Sequence, residues 1–119
     1  MKKVLVITGG SRGIGEATIK RFMNKDWRIV NLSRTPSPIA NVINLTADLQ
    51  KPESLQKHSD ELKKLLDAAD NVAVVHNAAF YERDCVDTMQ LSELQKTLAV
   101  NIVSPSVLNS ILIPYMPEG

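Results

Sequence analysis

The sequence predicts an α/β fold: a parallel sheet of four strands, in the order 3-2-1-4, covered by helices on both faces. Three observations carry that reading. Short apolar runs recur at Val4-Leu5-Val6-Ile7, Arg28-Ile29-Val30-Asn31-Leu32-Ser33, Val42-Ile43-Asn44-Leu45 and Val72-Ala73-Val74-Val75-His76, the pattern of strands buried on both faces. Helical patterns separate them, as in parallel β-α-β units, and right-handed crossovers then set the strand order. The first run enters a glycine-rich turn, Thr8-Gly9-Gly10-Ser11-Arg12-Gly13-Ile14-Gly15, and a helical pattern leaves it.

That last feature organises the chain. Strand, glycine turn and helix N-terminus together make the phosphate-binding unit of a three-layer, Rossmann-type fold. The glycines leave bare backbone that a pyrophosphate can approach. The helix aims its free N–H groups and positive dipole end at the anion. A Walker A loop is excluded, because Glu16 and Ala17 stand where Lys and Ser or Thr would follow the second glycine. The G-x-G-x-x-G spacing also fails, because Thr18 follows Gly13-x-Gly15.

The other elements follow in order. The helix after the loop carries Ile19, Phe22 and Met23 on one side, with Gly15 a turn earlier, where a missing side chain lets helix and strand pack closely. It is expected to stop near Asn24-Lys25-Asp26, with Asp26 in the left-handed position that glycine usually fills. After the second strand, Arg34-Thr35-Pro36-Ser37-Pro38 is a loop that two prolines keep extended. The third strand ends at Thr46-Ala47-Asp48-Leu49. Pro52 suits a first helical turn, with Glu53 at the positive dipole end. That helix carries Leu55, Leu62, Leu65, Leu66 and Ala69 on one side and Lys57, Lys63 and Lys64 outward.

After the fourth strand, Asn77-Ala78-Ala79 leads into a polar segment over 81–90. A second apolar-periodic stretch follows. Leu91, Leu94, Leu98, Ile102 and Val103 mark its face, which runs on through Val107, Leu108, Ile111 and Leu112 to Pro114. Pro105 has no N–H, so a helix passing through it leaves the Asn101 carbonyl without its partner and kinks.

Composition narrows the function classes. The 119 residues make one domain, 1–119, with 44% hydrophobic and 23% charged residues, ordinary for a soluble globular chain. The net charge is +1, basic residues are spread out and aromatics are 4%, so no nucleic-acid partner is expected. No stretch approaches membrane-spanning length, and no membrane partner is expected. The apolar run after Met1-Lys2-Lys3 ends at Gly9-Gly10, too short for a signal peptide. The lone Cys85 allows no internal disulfide, and no residue cluster suggests a metal site. A cytoplasmic setting is the default.

The spacing Thr-Gly-x-x-x-Gly-x-Gly, at Thr8, Gly9, Gly13 and Gly15, resembles the short-chain dehydrogenase/reductase family. The resemblance implies an oxidoreductase that moves hydride between a nicotinamide dinucleotide and a carbonyl or alcohol carbon. It sets the cofactor along Thr8, Gly9, Ser11, Arg12, Gly13, Ile14 and Gly15. At the end of the second strand an acid would bond the 2′-hydroxyl of NAD, whereas an arginine pairs a 2′-phosphate. This chain has Ser33-Arg34 there. Arg12 can close on the same phosphate, so NADP is expected in preference to NAD.

Asp48 and Leu49 match the pair that lies against the adenine in the family. Asn77, Ala78 and Ala79 fall on its Asn-Asn-Ala-Gly turn, which runs backbone past the ribose; His76 and Ala79 depart from that pattern. Ala79 in place of glycine is mild at negative φ and costly at positive φ. His76 has no acid or nucleophile spaced to serve it and reads as structural. Asn101, four residues before Pro105, matches the asparagine of the family's catalytic tetrad, whose backbone carbonyl holds a water in a proton relay.

The serine and the Tyr-x-x-x-Lys of that tetrad have no match. Cys85 stands four residues after Tyr81, and Gly119 four after Tyr115. The resemblance therefore covers about the first half of a family member, truncated before the fifth strand. Two functions are expected from it: the NADP-binding portion of such an oxidoreductase, or a truncated, non-catalytic nucleotide-binding or interaction module. The chain alone is expected not to turn over carbonyl or alcohol substrates. Its fourth strand is expected to be a bare edge, which favours a homo-oligomer or else leaves the chain marginally stable.

Overall fold

In the computed structural model, which describes residues 1–81 and 85–118, strand β1 (Lys3–Thr8) is flanked by β2 (Arg28–Ser33) and β4 (Asn71–Val75). Strand β3 (Ile43–Thr46) lies outside β2. All pairings are parallel, with Val6 opposite Val30 on one side and Val74 on the other. The order β3-β2-β1-β4 is the one expected. Among the described residues β4 pairs only with β1, so its outer edge carries no strand. Residues 82–84 of the polar segment, and Gly119, lie outside the described residues.

Side chains alternate across β1. Val4 and Val6 face one side and Leu5 and Ile7 the other, all fully buried. Burying such a side chain contributes about 1.5–3 kcal/mol, and the two sets anchor separate cores. Leu5 and Ile7 meet Ile29 and Ile19, the latter on helix α1 (Gly13–Met23), with Phe22, Met23 and Trp27 at the margin. Val4 and Val6 meet Leu55, Leu62 and Leu66, then Val100, Leu108 and Leu112. Helices therefore cover both faces of the sheet.

Helix α1 ends as expected. Asp26 sits at φ +64°, and the Trp27 N–H reaches the Phe22 carbonyl while the Asp26 N–H reaches that of Met23. These are the two crossed bonds of a Schellman end. The expected helix after Pro52 begins differently, as a 3-10 helix over Pro52–His58, and becomes α2 only at Ser59–Leu66. The Ser54 hydroxyl accepts from the Asp48 N–H and donates to the Asp48 carbonyl, and the His58 ring bonds the Thr46 carbonyl. These tethers to the end of β3 keep the first turns tight.

The last elements form one helical run of 25 residues, Leu91–Tyr115. It comprises α3 (Leu91–Leu98), a π-helical turn (Ala99–Val103), α4 (Ser104–Leu112) and a closing 3-10 turn (Ile113–Tyr115). The Ser104 N–H reaches back five residues to the Ala99 carbonyl. This wide turn takes up the missing N–H of Pro105, so the expected disturbance becomes a π turn inside a continuous helix. Two expectations are corrected here. By length and composition this helix is long and apolar enough to cross a membrane, because the π turn joins stretches that the sequence divides at polar residues. The core-facing side is also different. Leu91, Leu98 and Ile102 are 70%, 42% and 57% exposed, whereas Val100, Ser104, Leu108 and Leu112 are buried. The departure is confined to the first half of the run: in α4 the expected face is the buried one, with Leu108 and Leu112 in the core and Val107 and Ile111 packed against it, whereas before it the extra residue of the π turn shifts the helical phase and Val100 takes the core position.

Candidate functional site

A cleft of about 580 Å³ opens at the C-terminal ends of the strands. It lies beside the β1–β4 boundary, where the sheet changes winding direction and doubly wound sheets hold ligands. One wall is the glycine turn (Gly9, Ser11, Arg12 and Gly13), and a second is Ser33, Arg34 and Thr35 after β2. Asp48, Leu49 and Gln50 after β3 make a third, and Asn77, Ala78, Ala79 and Phe80 after β4 the fourth. Leu32, Ala47 and Val100 form the apolar floor.

The glycine turn is built for a ligand to come close. Gly9 and Gly13 hold φ of +68° and +59°, which residues with a Cβ adopt at a cost. A Cβ at Gly13 would meet nothing within 4 Å, so the space beside it is open. Gly15 serves the opposite purpose. A Cβ there would run into the Gly9 carbonyl and stand 2.6 Å from Asn77 Nδ2. Its bare backbone lets α1 start directly against the turn, with the free N–H groups of its first turn facing the cleft.

Other predicted residues hold the walls in place. Asn77 Nδ2 donates to the Gly9 carbonyl at 3.0 Å, and the Thr8 hydroxyl oxygen accepts from the Ala78 N–H at 3.1 Å. Thr8 is buried and does not line the cleft; it pins β4's exit to β1. Ile14 is 79% exposed and also lies outside the lining. Ala79 does not have positive φ, so its replacement of glycine is the mild case. Asp48 Oδ1 accepts from the Gln50 N–H at 3.0 Å, which leaves the other carboxylate oxygen for a ligand's amino group. Among the described residues the ion pairs are Lys20–Glu16 and Lys96–Glu93, and neither Arg12 nor Arg34 is in one.

Asn101 does not line the cleft. Its side chain clamps the backbone of Phe80: Oδ1 accepts from the Phe80 N–H and Nδ2 donates to the Phe80 carbonyl, each at 2.9 Å. One turn on, the buried Ser104 hydroxyl donates to the Leu49 carbonyl at 2.7 Å. The π turn and the first residue of α4 thus brace two walls of the cleft. His76 is engaged by Asn109 at 2.8 Å through Nε2.

Sequence reasoning missed Leu32, Thr35, Ala47, Gln50, Phe80 and Val100 as lining residues, and it missed Asn31. Asn31 is 1% exposed, yet a buried amide without partners costs about 1–3 kcal/mol. The signal was present: one amide interrupts the apolar run Ile29-Val30-Asn31-Leu32.

The sequence pattern of short chain dehydrogenases matches residues 3–119. The chain belongs to the short chain dehydrogenase family. It is 30% identical over 111 residues to carbonyl reductase family member 4 of Xenopus tropicalis, covering 87% of this chain and 46% of that protein. It is 37% identical over 83 residues to protein FixR of Bradyrhizobium diazoefficiens, covering 64% of this chain and 30% of that one. The chain thus spans half or less of the length of these curated relatives. Among solved structures, a short-chain dehydrogenase/reductase from Burkholderia vietnamiensis superposes with a TM-score of 0.90 at 17% identity, over 98% of this chain and 60% of that one; this likeness speaks for the fold alone. A short chain dehydrogenase/reductase family oxidoreductase from Brucella ovis, in complex with a partially ordered NAD, superposes with a TM-score of 0.82 at 29% identity, over 97% of this chain and 58% of that one. Family membership accounts for the dinucleotide-binding fold and for the glycine turn at the mouth of the cleft.

Proposed function

We propose that this chain is the NADP(H)-binding portion of a short chain dehydrogenase acting on a carbonyl or alcohol substrate. The observation that carries the reading is the pair Arg12 and Arg34, on two walls of one cleft, with Ser33 rather than an acid at the end of β2. Two guanidiniums facing a 2′-phosphate make charge-assisted bonds worth about 1.5–3 kcal/mol each. The glycine turn fits a pyrophosphate, because the side of Gly13 is open and the N-terminus of α1 points there. Asp48 would accept from the adenine amino group, and the Asn77–Ala79 backbone would pass the ribose. Asn101 is assigned the water-holding position of the proton relay, with its side chain already engaged by Phe80. When bound, the dinucleotide supplies or accepts the hydride.

The test is a fluorescence titration with NADPH and, in parallel, NADH. NADPH is expected to bind more tightly, and Arg34→Asp is expected to weaken NADPH at least about tenfold while leaving NADH within about twofold. Equal binding of the two nucleotides by the parent chain would overturn the NADP preference.

A second reading, a nucleotide-binding module without turnover, is favoured by the lack of Tyr-x-x-x-Lys within these residues. The absent general acid–base pair is worth about 10²–10⁴-fold in rate. The chain alone is therefore expected not to reduce a panel of carbonyl compounds with NADPH; measurable reduction would count against this. The exposed stripe Leu91, Leu98 and Ile102 and the open edge of β4 support self-association, which light scattering checks. A cytoplasmic setting is the corresponding proposal for the cell, consistent with the single free thiol of Cys85.

A further inference from the structure

Asn31 sits in the middle of β2, beneath the glycine turn and beside the Ser33–Ser37 segment that carries Arg34. Both donors of its amide and its oxygen are engaged locally. Oδ1 accepts from the Gly10 N–H at 2.8 Å. Nδ2 donates to Ser33 Oγ at 2.9 Å and to Asn44 Oδ1 at 3.1 Å. Asn44 Oδ1 also accepts from the Ser37 N–H at 2.9 Å, and the Ser33 hydroxyl donates to the Thr35 carbonyl.

The chain of donors runs one way only. Turned over, the amide would set its oxygen against Asn44 Oδ1 and its NH₂ against the Gly10 N–H, so the surroundings fix its orientation. The Gly10 N–H is withdrawn from the anion cradle, which leaves phosphate binding to the start of α1. The close approach favours glycine at position 10, where a Cβ would stand 2.5 Å from Ile19 Cδ1 and 2.7 Å from Asn31 Oδ1. Ser33 has its one proton on Thr35, so it shapes the turn instead of donating to a ligand. Arg12 and Arg34 stand on two different loops, and Gly10–Asn31–Ser33 is the side-chain link between them, beside the backbone bond from the Gly9 N–H to the Leu32 carbonyl at 3.1 Å.

We propose that Asn31 is a positioning residue for the 2′ end of the cofactor: by tying the glycine turn to the Ser33–Ser37 segment it sets the discrimination between a 2′-phosphate and a 2′-hydroxyl. This rests on the NADP(H) reading above. The test uses Ser33→Ala and Asn31→Asp, each titrated with NADPH and NADH and each followed by circular dichroism on heating. Ser33→Ala, at a half-buried rim position, removes the acceptor of Asn31 and the tether to Thr35. Asn31→Asp keeps the acceptor for Gly10 and loses both donations. Both variants are expected to shrink the NADPH-over-NADH preference at least about fivefold, with NADH affinity changed less than about twofold. A general loss of structure would weaken both nucleotides together and leave the preference unmoved. If Asn31→Asp melts below the assay temperature, Ser33→Ala decides alone. A parent chain without NADPH preference overturns both this role and the NADP(H) reading. A parent that prefers NADPH, with folded variants that keep its preference, overturns the Asn31 role alone.

Discussion

Strand β1 and the helical run Leu91–Tyr115 are both apolar, yet the fold treats them in opposite ways. Every residue from Val4 to Ile7 is fully buried, because a central parallel strand has neighbours on both edges and helices on both faces. The helix has one face only on the sheet. Val100, Leu108 and Leu112 are buried, while Leu91, Ile102 and Ile113 remain 70%, 57% and 63% exposed. Apolar pattern therefore identified a buried strand directly, but for the helix it identified a face that is buried at Leu108 and Leu112 and exposed at Leu91, Leu98 and Ile102. A strand's surroundings follow from its place in the sheet, whereas a helix's depend on which elements lie beside it.

Paired truncations test that contrast most strongly. Leu5→Ala is expected to lower unfolding free energy by about 2–5 kcal/mol, and Ile102→Ala by less than about 1 kcal/mol. Denaturant midpoints of the two variants compare them directly. A large loss for Ile102→Ala would show that the exposed stripe is covered in solution, which would strengthen the self-association reading. Next in size is Gly15→Ala, which forces a methyl group between α1 and the glycine turn. It is expected to cost about 1–3 kcal/mol and to abolish saturable NADPH binding; a variant that still binds as the parent does would show that the turn has room to yield. The smallest effect is at Ala68, held at φ +56° between α2 and β4. Ala68→Gly is expected to stabilise by about 0.5–1 kcal/mol, the left-handed cost of alanine less the extra chain entropy of glycine. A melt that does not rise would show that Ala68 is unstrained.

Much of the cleft was legible because its key residues are sequence-local. Gly9, Gly13 and Gly15 announce a turn through their spacing, and Arg34 and Asp48 follow the strand ends that the apolar runs mark. Val100 gave no such signal, since it joins the floor of the cleft only when the π turn meets segments far away in sequence, and Gln50 and Phe80 merely extend the predicted Asp48-Leu49 and Asn77–Ala79 walls by one residue. Asn31 lay between the two cases. An amide in an apolar strand demands partners, but nothing local says that they are Gly10, Ser33 and Asn44.

The sequence by itself determined the strands, their parallel order and the glycine turn beside the cleft, because these depend on local apolar runs and on backbone freedom at glycine. Tertiary structure decided the rest. It turned the Pro105 interruption into a π turn, put Val100 rather than Leu98 or Ile102 on the core, and set Asn101 on Phe80 and Ser104 on Leu49 as braces of the cleft. Those outcomes depend on which surfaces meet once the sheet has formed, and a helix or an amide takes its partners from whatever the completed sheet places beside it.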